Sequence, residues 1–304
     1  SVQGIISPYY DGLKMSIADI GIGKYRSLKN WFGRGGVNFK LRTWKRYRHV
    51  EGEVYRVNDY FIGRTTWDKA YVNIYNPNAV YYHAEELLRP PFYKTRWGIH
   101  TCEKNRIFVS SSSYPLKGFH TLIKAVAALK DKYPDIKVVA PLSSMRVNAS
   151  KWLDLLISED YGIYLKNEIV RLGLQKNIVL LKRLTAEEMA NEYQKAHVFV
   201  LPSFMENSPN SLGEAMLIGT PSIATPVGGV MSIVEDESST LISPSGDYVM
   251  MAYQIDRVLS DEKLASRISE NARLIAEKRH NIVDATQQYI QIYEGIVNTH
   301  KPRL

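Results

Sequence analysis

Two carboxylates frame a polar loop within residues 198–230, VFVLPSFMENSPNSLGEAMLIGTPSIATPVGGV. Glu206 lies in the loop, and Glu214 lies in the otherwise apolar segment SLGEAMLIG. Because an unpartnered carboxylate is costly to bury, we expect Glu214 to bind polar groups, and the hydroxyls of a ribose or a hexose are suitable donors. Glu206 has a structural alternative, since a negative charge is also favourable just before a helix N-terminus.

The same segment predicts a binding site for a phosphate or a diphosphate. A buried strand ends at Pro202, and Ser208 and Pro209 are typical of the N-cap and the first residue of a helix. Ligands of an open α/β sheet bind beyond the carboxyl ends of its strands. The helix start adds free N–H groups and the positive end of the helix dipole, which together favour an anion.

The spacing of Glu206 and Glu214, an E-x7-E arrangement inside ENSPNSLGEAMLIGTPSIATPVGG, resembles the donor-site signature of the retaining GT-B glycosyltransferases of family 4. The resemblance extends over about residues 105–297. It implies that Glu206 contacts the transferred sugar and that Glu214 binds the ribose of a nucleotide-sugar donor. It also implies that the sugar contacts the backbone of Asn207, Pro209 and Asn210, and that the diphosphate contacts Ser211 and Leu212.

A second element of the family follows the first strand of this domain, in VSSSSYPLKGFHTLIKAV (109–126). Family members usually have G-R-L-x-x-x-K-G at this place, and their Arg and Lys neutralise the leaving diphosphate. Lys117 matches the lysine, but Ser112 stands where the arginine is expected. The family pattern therefore lacks one of its two cations here.

Other basic residues are candidates to supply the missing charge. Lys182 and Arg183 follow the segment NIVLL, and the resemblance places them, with Leu184, beside the base of the nucleotide. Arg64, in YFIGRTTWD of the first lobe, is another candidate. We expect Glu206, Lys117 and Arg183 to act in catalysis, while a structural ion pair remains an alternative for Arg64.

Short apolar runs alternate with helical segments from residue 106 onward, which predicts a parallel sheet wrapped by helices. The strands are apolar throughout, as is typical of strands buried on both faces. The predicted strands are 106–110, 136–142, 177–181, 197–203, 221–225 and 239–243, and the predicted helices are 119–132, 151–172, 186–195, 209–218, 247–259, 261–277 and 281–297. We therefore predict an α/β chain of GT-B type with a doubly wound C-terminal domain.

The first hundred residues predict a smaller, incomplete Rossmann-like lobe. Its predicted strands are 3–7 and 55–63, and its predicted helices are 28–36 and 38–49. Since the chain begins with Ser1 instead of Met, we expect part of this lobe to be missing. The predicted division is an acceptor-side lobe (1–95), a nucleotide-sugar-binding domain (96–280) and a final helix (281–304) that crosses back to the first lobe.

The composition excludes disordered, fibrous and disulfide-stapled proteins. The 304 residues are 45% hydrophobic and 23% charged, and the single cysteine, Cys102, excludes an internal disulfide. The formal net charge of +8 lies in residues 1–100, where 16 Lys and Arg stand against eight Asp and Glu. The basic and aromatic stretch FKLRTWKRYRH (39–49) predicts contact with anionic lipids or an anionic acceptor, or else a solvated helix face, and no RNA-binding signature accompanies it.

The expected function is the retaining transfer of a sugar from a UDP- or GDP-linked donor to a glycan or lipid-linked acceptor in surface polysaccharide synthesis. The resemblance implies no cofactor, and no acidic cluster that would hold a metal ion is recognised in the sequence. We expect a cytoplasmic protein at the inner membrane face that binds no nucleic acid. The main alternative is a nucleotide-sugar-binding or catalytically impaired partner subunit; an epimerase or phosphorylase of the same architecture is less well supported.

Overall fold

The computed structural model describes residues 1, 2, 4–18, 20–25, 35–141 and 159–299. Residues 28–34 of the predicted helix 28–36, and residues 151–158 of the predicted helix 151–172, lie outside the described residues. The described helices are α1 (Ile6–Ser16), α2 (Gly36–Val57), α3 (Thr66–Tyr75), α4 (Pro90–Lys94), α5 (Phe119–Leu129), α6 (Asp160–Arg171), α7 (Ala186–Lys195), α8 (Asn210–Ile218), α9 (Tyr248–Ser260), α10 (Glu262–Arg279) and α11 (Ile282–Thr299). None of them is long and apolar enough to cross a membrane.

The strands form two parallel sheets. They are β1 (Tyr60–Gly63), β2 (Val80–His83), β3 (Arg106–Phe108), β4 (Lys137–Pro141), β5 (Ile178–Leu181), β6 (Val198–Leu201), β7 (Ser222–Ala224) and β8 (Leu241–Ile242). β1 pairs with β2, and the other six form one sheet in the order β5-β4-β3-β6-β7-β8. The order runs outward in both directions from the β3–β6 pair, so the prediction of a doubly wound sheet is confirmed, with its switch point between these two strands.

Both faces of the large sheet are buried. Successive side chains of a strand point to opposite faces, so each strand contributes side chains to both. Val138 and Val198 belong to one apolar core, and their neighbours Val139 and Phe199 belong to the other. All four are fully buried. This is why the strands are apolar throughout instead of alternating, as the sequence indicated.

The small sheet of the first lobe is also covered on two sides. Tyr55 and Val72 pack with Phe61 of β1 in one cluster. On the other side Ile62 packs with Ile292 of α11, so the last helix contacts the first lobe. α11 thus connects the end of the described chain to its beginning.

The predicted strand at 3–7 is wrong, because a helix, α1, begins at Ile6. The cause is remote in sequence: the Glu51 carboxylate accepts hydrogen bonds from the amide of Ile6 and, at 3.0 Å, from that of Ser7. Free amides of a first turn need such acceptors. The buried Glu51 of α2 therefore caps α1 from 44 residues away.

The first lobe packs directly on the larger domain. A Cβ built on Gly12 of α1 would lie 3.0 Å from Met205 Cβ and 3.1 Å from Leu116 Cδ1. The amide of Val37 donates to Asp160 Oδ2 at 3.0 Å. Because Val37 also belongs to one of the two cores of the large sheet, the two lobes share apolar interior.

Candidate functional site

A cavity of about 470 Å³ opens at the switch point of the large sheet. The strand ends 109–111 and 201–203 form its floor, and its walls include Arg89, Lys117, Met189, Asn210, Ser211 and Glu214. This is the place where open α/β sheets bind ligands. The structure thus brings four sequence-predicted residues, Lys117, Asn210, Ser211 and Glu214, to one cavity.

Lys117 and Glu206 form an ion pair beside this cavity, with Nζ 2.5 Å from Oε1. Ser203 Oγ donates to the same oxygen at 2.7 Å. The two side chains are 21% and 6% exposed, so the pair is largely shielded from water. Burial alone would lower the pKa of Lys117, but the Glu206 carboxylate outweighs it and raises this pKa above its ordinary value. Lys117 is therefore positively charged at neutral pH.

A close approach of two loops fixes the position of Lys117. Lys117 ends a short 3-10 turn, and Gly118 follows with φ of 66°. A Cβ on Gly118 would lie 1.8 Å from the carbonyl oxygen of Pro202. The amide of Phe204 donates to the Leu116 carbonyl at 2.7 Å. The loops after β3 and β6 are thereby held together at the cavity floor.

Glu214 also lines the cavity, and Arg89 and Tyr193 donate hydrogen bonds to its carboxylate. Arg89 Nη2 donates to Oε1 at 2.9 Å, and the Tyr193 hydroxyl donates to Oε2 at 3.2 Å. Burial raises the pKa of Glu214, while Arg89 and Tyr193 act against that rise. Burial also raises the pKa of Tyr193, which keeps its hydroxyl protonated and able to donate.

The start of α8 differs by one residue from the prediction. The helix begins at Asn210, Pro209 is its N-cap, and no side chain caps it, so Ser208 does not have the predicted N-cap role. The amide of Leu212 donates to the Pro209 carbonyl at 3.0 Å, and the Leu212 side chain is buried in the core. The amides of Asn210 and Ser211 precede it in the uncapped first turn, where an anion is a suitable acceptor.

Asn207 is engaged by the first lobe. Its amide donates to the Tyr9 hydroxyl at 3.1 Å, and its side chain bonds the Val2 carbonyl and the Thr65 hydroxyl. Tyr9 is buried next to Glu206, and both effects raise its pKa, to about 12. Asn207 thus joins the two lobes at the edge of the site.

Besides Glu206, Asn207, Pro209, Leu212 and Arg64, four more predicted site residues, namely Ser112, Lys182, Arg183 and Leu184, do not line the cavity. Ser112 is fully buried, and its hydroxyl donates to the Pro141 carbonyl at 3.0 Å. Lys182 and Arg183 are exposed, and Leu184 packs partly against the core. The structure therefore does not bring the expected substitute cations Lys182 and Arg183 to the cavity wall.

Arg64 reaches the rim of the site but is held there by other groups. Its Nη1 pairs with Glu86 and donates to Asn210 Oδ1 at 3.1 Å, and its side chain is 7% exposed. Asp68 forms a capping box with Thr65 at the start of α3, and Tyr81 donates to it at 2.6 Å. Asp68 is thus a helix cap, and Arg64 connects the first lobe to the start of α8.

Sequence reasoning missed Arg89, the second basic residue of the cavity wall. It precedes Pro90 and Pro91 in LLRPPFY, which predicts a linker and nothing more. The sequence indicated such a residue only indirectly, because a buried carboxylate at Glu214 requires a hydrogen-bond donor. No group of three His, Cys, Asp or Glu suited to hold a metal ion occurs among the residues that the structure describes.

A family model described as glycosyl transferases group 1 matches residues 96–275. The D-inositol 3-phosphate glycosyltransferase of Corynebacterium urealyticum is 28% identical over 185 residues, which are 60% of this chain and 41% of that enzyme. The capsular polysaccharide biosynthesis glycosyltransferase CapM of Staphylococcus aureus is 26% identical over 163 residues, 54% of this chain and 39% of CapM. The chain spans about half the length of the curated relatives it matches.

Among solved structures, the Anabaena protein HepE in complex with UDP-glucose has a similar fold. The TM-score is 0.66 at 20% identity, and the match covers 81% of this chain and 67% of HepE.

Proposed function

The chain belongs to the group 1 glycosyl transferases and has a GT-B fold, and from this premise we propose that it moves a sugar from a UDP- or GDP-linked donor to an acceptor hydroxyl with retention of configuration. The observation that carries the proposal is the cavity at the β3–β6 switch point, whose lining includes Lys117, paired with Glu206, and the ion pair Arg89–Glu214. Its volume of about 470 Å³ is in the range of small-molecule sites.

The two carboxylates suit the two ends of a nucleotide sugar. Glu214 accepts hydrogen bonds from the ribose hydroxyls, because its carboxylate is buried yet reaches the cavity. Glu206 and Lys117 lie at the sugar end, where Glu206 orients the sugar hydroxyls. The diphosphate joins ribose and sugar and therefore lies between them, against the amides of Asn210 and Ser211.

The reaction breaks the bond between the anomeric carbon and the diphosphate oxygen, whose electron pair passes to the diphosphate. A new bond forms between the anomeric carbon and the acceptor oxygen on the same face of the sugar, and the acceptor proton moves to a diphosphate oxygen. Lys117 and the α8 N-terminus stabilise the negative charge that develops on the leaving group. Glu206 positions the sugar and does not form a covalent intermediate, and no metal or cofactor takes part.

The proposed acceptor is a glycan or a lipid-linked saccharide of surface polysaccharide synthesis, met at the inner face of the cytoplasmic membrane. Support comes from α2, where Arg42, Lys45 and Arg46 are exposed next to the exposed apolar side chains of Tyr47 and Val50. Basic and apolar groups side by side on one helix suit an anionic lipid surface.

A second candidate is a nucleotide-sugar-binding or catalytically impaired subunit. It is favoured by Ser112, which replaces the family's arginine and points its hydroxyl to the Pro141 carbonyl. That candidate binds the donor but transfers no sugar.

Calorimetric titration with UDP, GDP and ADP tests the donor site. We expect one nucleotide to bind and Glu214→Ala to weaken it on the order of 10- to 100-fold, because charge-assisted hydrogen bonds to the ribose are lost. Glu262→Ala, an exposed carboxylate paired with Lys104, is the matched control. Absence of nucleotide binding to the folded wild-type chain would refute the proposal, and binding without turnover of the corresponding nucleotide sugar would favour the second candidate.

A further inference from the structure

We propose that Arg89 is the second cation of the site, held on Glu214 while the cavity is empty and transferred to the diphosphate when the ribose binds. This inference rests on the proposed function. Its starting point is the composition of the cavity wall, where Lys117 and Arg89 are the two basic side chains among the described lining residues.

Arg89 has a fixed backbone and an exposed side chain. It precedes Pro90, which restricts its backbone to the extended conformation seen, with φ of −71° and ψ of 146°. Phe92, three residues on, is fully buried and anchors α4. The side chain of Arg89 is nevertheless 50% exposed, and its guanidinium lies 4.9 Å from the Phe92 ring centroid. The anchor is rigid, and the guanidinium can change partners.

A bound ribose competes with Arg89 for Glu214. Tyr193 donates to Oε2, and Arg89 donates to Oε1. Ribose hydroxyls are further donors to the same carboxylate. Because Arg89 is half exposed, its guanidinium can be released to water, and the ribose hydroxyls then take its place on the buried carboxylate.

The released guanidinium then meets the diphosphate. In a nucleotide sugar the diphosphate follows directly on the ribose, so it lies next to Glu214, where Arg89 stands. The planar fork of an arginine matches phosphate oxygens through two parallel hydrogen bonds. Arg89 would act from the ribose side and Lys117 from the sugar side, on the oxygen that receives the electron pair of the broken bond.

The other basic candidates are less suited to this role. Arg64 is 7% exposed and engaged by Glu86 and Asn210, and Lys182 and Arg183 do not line the cavity. Arg89 therefore supplies, from a different part of the chain, the positive charge that the family's arginine would supply at the position of Ser112.

The test compares ligands that differ only in the number of phosphate groups. Wild type, Arg89→Ala and Arg89→Lys are titrated with the nucleoside, the nucleoside monophosphate and the nucleoside diphosphate of the base that binds. We expect Arg89→Ala to weaken the diphosphate on the order of 10- to 100-fold and to leave nucleoside affinity equal or higher, since Glu214 is freed. Arg89→Lys should recover part of the loss. Arg96→Ala, an exposed arginine of the same linker region paired with Glu277, is the matched control.

Equal losses for the nucleoside and the diphosphate, or no loss for the diphosphate, would overturn the role of Arg89. Failure of the wild-type chain to bind any nucleoside diphosphate would instead refute the proposed function itself. Should Arg89→Ala fail to fold, as circular dichroism would show, Arg89→Lys carries the comparison. If Arg89 has only a structural role, Arg89→Lys should change the affinities for all three ligands by the same factor relative to wild type.

Discussion

Charge is used in opposite ways at the cavity and on α2. At the cavity, Lys117, Glu206 and Glu214 are buried or nearly so, and each is paired. On α2, Arg42 and Lys45 are exposed, and they belong to the hundred residues that hold the whole net charge of +8. Apart from Arg89 and Arg64, the residues of the candidate site thus lie in the part of the chain whose formal charge is zero. Net charge identifies surfaces, whereas buried and paired charges identify sites.

The sharpest way to break this comparison is to remove the buried cation. Lys117→Ala should lower the transfer rate on the order of 100- to 1000-fold, because the leaving diphosphate loses a preorganised positive group. Initial rates with the nucleotide sugar measure the effect. Lys132→Ala, which removes an exposed lysine paired with Asp256, is the control. Equal rates for the two variants would mean that Lys117 does not act on the leaving group.

The close contact between Gly118 and Pro202 should tolerate substitution as poorly as the charged residue Lys117 that it positions. Gly118→Ala places a Cβ 1.8 Å from the Pro202 oxygen at a φ of 66°, so we expect the free energy of unfolding to fall by about 3 kcal/mol. Urea unfolding measures it. Gly52→Ala in α2 has no atom within 4 Å and should raise stability by about 1 kcal/mol. Similar changes in the two variants would contradict the packing described.

The buried interior of the larger domain should also respond to pH. His120 stacks on Phe204 and bonds the Tyr161 hydroxyl, and burial lowers its pKa to about 3. The unfolded chain protonates His120 below about pH 6.5, while the folded chain does not until about pH 3. Its contribution to stability is therefore complete above pH 6.5 and is lost as pH falls, at about 1.4 kcal/mol per unit.

Urea unfolding at several pH values, for wild type and His120→Gln, measures this dependence. The variant should lose less stability on acidification than wild type. Parallel curves for wild type and His120→Gln would argue against a neutral, buried imidazole.

The smallest effect is expected on α2. Reversal of Lys45 and Arg46 to Glu should weaken binding to vesicles of phosphatidylcholine and phosphatidylglycerol by at least about fivefold per residue. Sedimentation at low and physiological salt measures it. Lys137→Glu with Lys176→Glu, two exposed lysines of the larger domain, changes the net charge equally. Binding that is insensitive to both salt and α2 would contradict a lipid-facing role for this helix.

The larger domain was predictable because its information is local. The segment 197–203 predicted a buried strand, and β6 spans Val198–Leu201. Of the two carboxylates in the E-x7-E spacing, Glu214 lines the cavity, and Glu206 pairs with the lining residue Lys117.

The parts that could not be predicted depend on distant partners. α1 begins where Glu51 caps it, and Asn207 is engaged by Val2 and Tyr9, about two hundred residues away. Arg89 lies in a segment without periodicity, and its role depends on a carboxylate 125 residues further on. The pattern of residues within one segment does not predict contacts with residues that are distant in sequence.

The chain passes between its two lobes at residues 87–93 and again after α10, and these two crossings are joined to each other. The Tyr93 hydroxyl donates to the His280 carbonyl at 2.9 Å, and the His280 ring bonds the Glu86 carbonyl at 3.0 Å. Two adjacent, bonded crossings permit rotation about a single axis and oppose sliding or twisting. Arg89 lies between Glu86 and Tyr93 in the sequence, within the first crossing. Because the other cavity-lining residues all belong to the larger domain, an opening of the lobes about this axis would leave the walls of the cavity in place.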